Sequence, residues 1–161
     1  MPMTDVEMLR HAVATLAYRA AKTMRGAPVA FADFKPGPTS PTPLEIVAHM
    51  GDLFDWAFTM IDGPTKWNDA KPQEWELECA RFFAALRKFD DGLASGRPIQ
   101  TALTRIFAGP IADALTHTGQ LAMLRRLHEA PMKGESYARA DIVVGRVGSE
   151  QTPANPNNEF D

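Results

Sequence analysis

The sequence predicts an all-α protein: a four-helix bundle with a long proline-rich crossover between helices one and two, plus an irregular C-terminal tail. Three observations carry this. Apolar residues recur three or four apart in four separate segments, the period of an amphipathic helix. Glycine and proline fall at the ends of those segments, where helices stop. Five prolines, Pro28, Pro36, Pro38, Pro41 and Pro43, crowd into one connection, which cannot be helical through its middle and reads as an extended crossover.

The first helix is expected from about Thr4 to Met24. Val6, Leu9, Val13, Leu16, Ala20 and Met24 form its apolar face, Thr4 and Asp5 are available as caps, and Gly26 follows the end. A second runs from about Pro43 to Ile61 along a seam of Leu44, Val47, Gly51, Phe54, Phe58 and Ile61, and Gly63-Pro64 ends it. The third starts near Pro72. Its Trp75, Cys79, Phe82, Leu86, Phe89 and Leu93 alternate steps of four and three, as in a bundle seam. Gly96-Arg97-Pro98 closes it, and Thr101 to Phe107 is a short element of its own. The fourth helix begins near Gly109-Pro110, with proline in a first-turn position, and continues to Ala130 before Pro131.

Beyond Pro131 the helical period is lost. Asp141 to Gly145 reads as a short extended piece, and Gln151 to Asp161, with two prolines and three asparagines, as a loose end. The chain therefore divides into residues 1–130, the bundle, and 131–161, an extension packed in part and loose at its end. A long crossover also joins helices that are not sequential neighbours, as in bundles whose consecutive helices run parallel.

Composition narrows the function. With 45% apolar and 23% charged residues the 161-residue chain can bury a core. A net charge of −3 gives no footprint for nucleic acid. No helix combines a basic face with a large apolar one, so a membrane surface is not an expected partner. The polar, acidic start lacks the form of a signal peptide, no run approaches a membrane span, and the single cysteine, Cys79, fits a reducing compartment. A cytoplasmic protein is expected.

A transition-metal site must be built from four histidines and carboxylates. Asp113 and His117 are four apart and share a helix face with Gln120, on a stripe that turns apolar at Leu124 and Leu127. Carboxylate and imidazole one turn apart is workable ligand spacing; a simple hydrogen-bonded pair has the same spacing. His49 lies at the edge of the polar strip Glu45, Asp52, Asp55, Thr59 and Asp62, where Trp56 could wall a half-open cleft. His11 and His128 read as structural or surface residues; His128 follows Arg125 and Arg126 near a helix C-terminus.

Thr42-Pro43-Leu44-Glu45-Ile46-Val47-Ala48-His49-Met50 resembles the second-helix signature of the DinB-like superfamily, in which a histidine follows a Pro-x-Glu-Ile-hydrophobic run. Asp113-Ala114-Leu115-Thr116-His117-Thr118-Gly119-Gln120-Leu121 resembles its fourth-helix motif, a ligand pair four apart followed by Gly-Gln. The order and separation of the motifs and the proline-rich crossover agree over residues 4–130. The resemblance implies a four-helix bundle, frequently a homodimer, with a divalent metal held by His49, Asp113 and His117. Asp113 stands where many members carry histidine. Two imidazoles and one carboxylate leave open positions and also match a non-haem iron pattern, so nickel, zinc and iron all enter.

Family activities include transfer with a low-molecular-weight thiol co-substrate and hydrolysis, in which the metal would activate a thiol or water. Gln120 or Asp52 would then orient a ligand or a small-molecule substrate. The competing expectation is a non-catalytic, stress-related protein that binds a small apolar ligand against Trp56 without metal. The stretch from Gly134 to Ile142, with Gly145-Arg146, resembles an extension found in one branch of the family, packed over the bundle end or across a dimer interface.

Overall fold

A computed structural model describes all 161 residues. The chain is predominantly helical, with four long helices: α1 (Asp5–Met24), α2 (Pro43–Asp62), α3 (Trp75–Ala94) and α5 (Ala112–Leu127). A short α4 (Leu103–Ile106) runs through a π-helical stretch, Phe107–Ile111, into α5. The strands β1 (Gly134–Glu135) and β2 (Glu159–Phe160) pair antiparallel, Gly134 opposite Phe160.

Both α1 and α2 start on the same device. Thr4 and Thr42 each accept the N–H of the residue three ahead, and the carboxylates of Glu7 and Glu45 accept the threonine N–H groups in return. Each box satisfies two donors a helix start leaves bare. The third helix starts at Trp75 rather than near Pro72, because Glu74 is still extended and the Gln73 N–H is donated to Glu78 Oε1 at 2.8 Å.

Helix α1 packs on α3 and α5, and α2 packs on the same two, so the first two helices make few contacts with each other. Twenty-eight buried residues form one apolar cluster, with Phe54, Phe82 and Phe89 wholly enclosed. Fully burying side chains of this size stabilises by about 1.5–3 kcal/mol each. Gly92 lets α3 approach α2 closely: a Cβ there would sit 2.5 Å from Ile61 Cδ1. The proline-rich connection is not extended throughout. It turns once as a 3₁₀ helix at Val29–Phe31, which drives Phe31 into the core against Trp75.

Two expectations about the C-terminal half need correction. The expected element at 101–107 and the fourth helix join into one continuous helical run that begins at Leu103, and Pro110 lies inside it rather than in its first turn. Proline cannot donate the α-helical bond and its ring crowds the preceding turn; one wide π turn absorbs both faults. That run ends at Leu127 rather than Ala130. Glu129 takes a left-handed φ of 58°, the Ala130 N–H returns to the Arg125 carbonyl, and Arg125 Nε donates back to Ala130 O at 2.6 Å.

The expected loose end is fastened. Glu159 and Phe160 form β2, Lys22 of α1 pairs with Glu135 and Glu159 at 2.8 Å each, and Tyr18 donates to Glu135 at 2.7 Å. Val147 is fully buried in the main core. Asp141 to Gly145 is not a strand; the pairing falls instead at Gly134, where the Phe160 ring covers the bare Cα. No helix is long and apolar enough to cross a membrane.

Candidate functional site

His49 comes from the middle of α2, and Asp113 and His117 come from the first two turns of α5. The packing of α2 on α5 brings them together as the one group of three histidine, cysteine or acidic side chains whose ligand atoms all lie within 4.8 Å of one another. His49 Nε2 is 3.2 Å from Asp113 Oδ2, and His117 Nε2 is 3.5 Å from Asp113 Oδ1. The imidazoles stand nearly perpendicular, centroids 4.9 Å apart.

These spacings can be set against a metal's requirement. A tetrahedral ion with bonds of about 2.0–2.1 Å places its ligand atoms about 3.3 Å apart. Each Asp113 oxygen is near that value from one imidazole nitrogen, Oδ2 from His49 and Oδ1 from His117, while a set of one atom per residue closes to within 4.8 Å. His117 Nδ1 lies 2.7 Å from Gln120 Oε1; an amide oxygen only accepts, so Nδ1–H donates and the Nε2 lone pair is left facing the cluster. The His49 and Asp113 side chains are 38% and 44% exposed, which leaves room for further ligands. The cluster could hold a metal ion.

The expected neighbours divide. Gln120 fixes His117 directly. Trp56, two turns beyond His49, lines a small cleft that ends at Asp113. Asp52 is committed elsewhere: Arg81 Nη1 lies 3.0 Å from one of its oxygens and the Ala70 N–H is donated to the other. Burial pushes the Asp52 carboxyl above its ordinary range, against the pull of Arg81.

Arg81 also donates to Glu78 at 2.8 Å and to the carbonyl of Ala48, the residue before His49, at 2.7 Å. Its guanidinium occupies the space a side chain at Gly51 would need, 2.8 Å from an ideal Cβ. Glu78 in turn accepts the Gln73 N–H, and Thr59 accepts the Lys66 N–H. The connection between α2 and α3 is thus held at three points.

That connection carries a residue the sequence reading missed. Trp67 sits with its ring centroid 5.6 Å from His49 and 5.7 Å from Trp56. No periodicity marks a residue in a loop; the only available signal was a large aromatic between Lys66 and Asn68 in a segment with no apolar reason for one.

His128 is structural as expected, its ring 4.8 Å from Phe34 and 5.8 Å from Phe31. Arg125 is buried and donates to the Thr23 and Arg25 carbonyls at the end of α1. Cys79 lines a larger cavity, about 600 Å³, between α1, α3 and the tail. Burial, with Glu76 and Glu78 nearby, pushes its thiol up to about 12. That cavity contains none of the cluster residues, and the small cleft at Asp113 is the one joined to the chemistry.

A scan against protein-family models and searches of curated proteins and of solved structures give no match.

Proposed function

We propose that His49, Asp113 and His117 hold a divalent metal ion, nickel, zinc or iron, and that the chain is a DinB-like protein acting on a small molecule. The observation that carries this is the placement of both Asp113 oxygens 3.2 and 3.5 Å from an imidazole nitrogen, near the ligand spacing of a bound ion. The alternation of helix contacts supports a four-helix bundle in which α1 and α2 lie diagonally, joined by the proline-rich crossover.

A metal in this site would lower the pKa of a bound water or hold a thiolate from a low-molecular-weight thiol, which suits hydrolysis or thiol transfer. The chain's own residues do the rest. Gln120 holds His117 in one tautomer, and Arg81 holds the α2 backbone near His49 through the Ala48 carbonyl. Trp67 lies against the His49 ring and Trp56 lies against Trp67. A homodimer belongs to the same reading, with light scattering as its check.

The test is metal analysis of untagged protein, beside His117→Ala. About one equivalent per chain, lost in the variant, is expected. A second reading has its own observation: at 3.2 Å His49 Nε2 and Asp113 Oδ2 are already within hydrogen-bond distance of each other without metal. The chain would then be a non-catalytic small-ligand binder, and equal, negligible metal in both proteins would overturn the metal-site reading and favour this one.

A further inference from the structure

We infer that Trp67 is a positioning residue of the candidate site: its indole holds the His49 ring in the rotamer that turns Nε2 toward Asp113. The contact stands by itself, and its consequence for metal binding rests on the metal-site reading.

The two imidazoles of the cluster are held differently. His117 is fixed by a hydrogen bond from Nδ1 to Gln120 Oε1 at 2.7 Å. His49 faces Asp113 through Nε2 at 3.2 Å, and its Nδ1 has no hydrogen-bond partner in the protein. A metal-ligating histidine almost always has its second nitrogen engaged. Its own helix supplies no such partner. One turn onward in α2, Asp52 is committed to Arg81 and to the Ala70 N–H, and Leu53 is buried in the core. One turn back, Glu45 closes the capping box with Thr42, and Ile46 is buried. The His49 side chain is 38% exposed, and exposed side chains exchange rotamers quickly unless packing holds them.

Two rings provide that packing. His117 stands nearly perpendicular to His49 with centroids 4.9 Å apart, and Trp67 lies 5.6 Å away, tilted by 54°. Both fall in the range of favourable aromatic pairs. His117 belongs to the cluster itself, so Trp67 is the aromatic neighbour of His49 from outside it.

The indole is in turn fixed from both sides. Before it, the Lys66 N–H is donated to the Thr59 hydroxyl at 2.9 Å; after it, the Ala70 N–H is donated to Asp52 at 3.3 Å. Its own Nε1–H is donated to Asp69 Oδ1 at 2.9 Å, and Trp56 stands edge-on against it with centroids 5.7 Å apart. Trp67 is 40% exposed and takes no part in the apolar core, so core packing does not account for it.

The first experiment needs no metal. Three-bond couplings about χ1 of His49 are measured in isotopically labelled, metal-free, full-length protein. A single rotamer is expected in the parent and in Trp67→Phe, which keeps an aromatic face, and rotamer averaging in Trp67→Ala. Trp67→Leu keeps apolar volume without a flat ring; it should average as well, and it replaces the alanine variant if that one does not fold. Averaging in the parent, or a single rotamer without the aromatic ring, would overturn the inference.

The second experiment measures cobalt affinity of the same proteins by competition with a chromophoric chelator. Trp67→Ala should bind about three- to tenfold more weakly than the parent, the range an aromatic pair is worth, and Trp67→Phe should stay within about twofold of it. A tryptophan that only braces its loop would lower the urea midpoint and leave both the couplings and the affinity as in the parent, and that result overturns the inference. If the parent binds no cobalt, the metal-site reading falls, and the couplings alone decide whether Trp67 positions His49.

Discussion

Replacing Arg81 tests how the candidate site is held in place. Its side chain is 19% exposed and lies against Glu78, whose side chain is 0% exposed, and Asp52, at 7%. Arg81→Met keeps much of the aliphatic volume and removes the charge. Two buried carboxylates then lose their cation, though each keeps one backbone N–H, from Gln73 and Ala70. Removing one partner of a buried pair costs about 3–5 kcal/mol. The retained N–H bonds and the partial exposure of Arg81 place the expected loss toward the lower end, about 3 kcal/mol. That is a large share of a typical domain's stability.

Urea unfolding of parent and variant, followed by circular dichroism, measures the loss as a lower midpoint at unchanged slope. Adding Asp52→Asn and Glu78→Gln to Arg81→Met should recover part of it, because neutral amides remove the stranded charge. A loss below about 1 kcal/mol, within the range of a surface ion pair, would refute the reasoning. So would a triple variant no more stable than the single one.

Other consequences can be read independently. Gln120→Ala frees the His117 tautomer, and metal affinity measured by competition with a chromophoric chelator should fall about 10–100-fold while the unfolding midpoint barely moves. Thr42→Ala should cost about 1 kcal/mol at pH 7. The sign with pH follows from Glu45, whose carboxyl is held below its ordinary range by the Thr42 N–H. Its contribution is present above the unfolded value of 4.5 and is lost as pH falls through the lower folded value. Glu45→Ala, which removes that carboxyl, should therefore decline less steeply in acid than the parent, with unfolding midpoints between pH 6 and about pH 3 as the check.

Much of the fold was legible because periodicity and punctuation agree. The seams from Trp75 to Leu93 and from Leu44 to Ile61 mark helices, and Val47, Gly51, Phe54, Ile61, Phe82, Leu86, Phe89 and Leu93 are buried as the spacing selects. Leu44, Phe58, Trp75 and Cys79 are only partly so, and the buried faces extend well beyond the seams. The misreadings have local causes. Pro110 looks like a helix start because its missing N–H is harmless there; nothing in the sequence shows that a π turn carries the helix through it. The tail looked loose because its stability comes from Lys22, Tyr18 and Glu135, contacts across more than a hundred residues. Such contacts have no sequence period.

The site divides the same way. Asp113, His117 and Gln120 are visible as a spacing of three and four on one helix. That His49 meets them is a property of α2–α5 packing, and its pairing with Asp113 spans 64 residues. Asp52 shares the polar strip with His49, but an exposed strip and a buried charge network have the same spacing. Arg81, on another helix, decides between them. Trp67 reaches His49 only because three hydrogen bonds pin its loop.

The most direct measurement is anomalous diffraction from crystals of untagged protein supplied with a single divalent metal, recorded on both sides of its absorption edge. One anomalous peak per chain is expected, between His49 Nε2, His117 Nε2 and the Asp113 carboxylate, and no peak there in His117→Ala. A difference map without signal at that position, with His49 and Asp113 still paired, would contradict it.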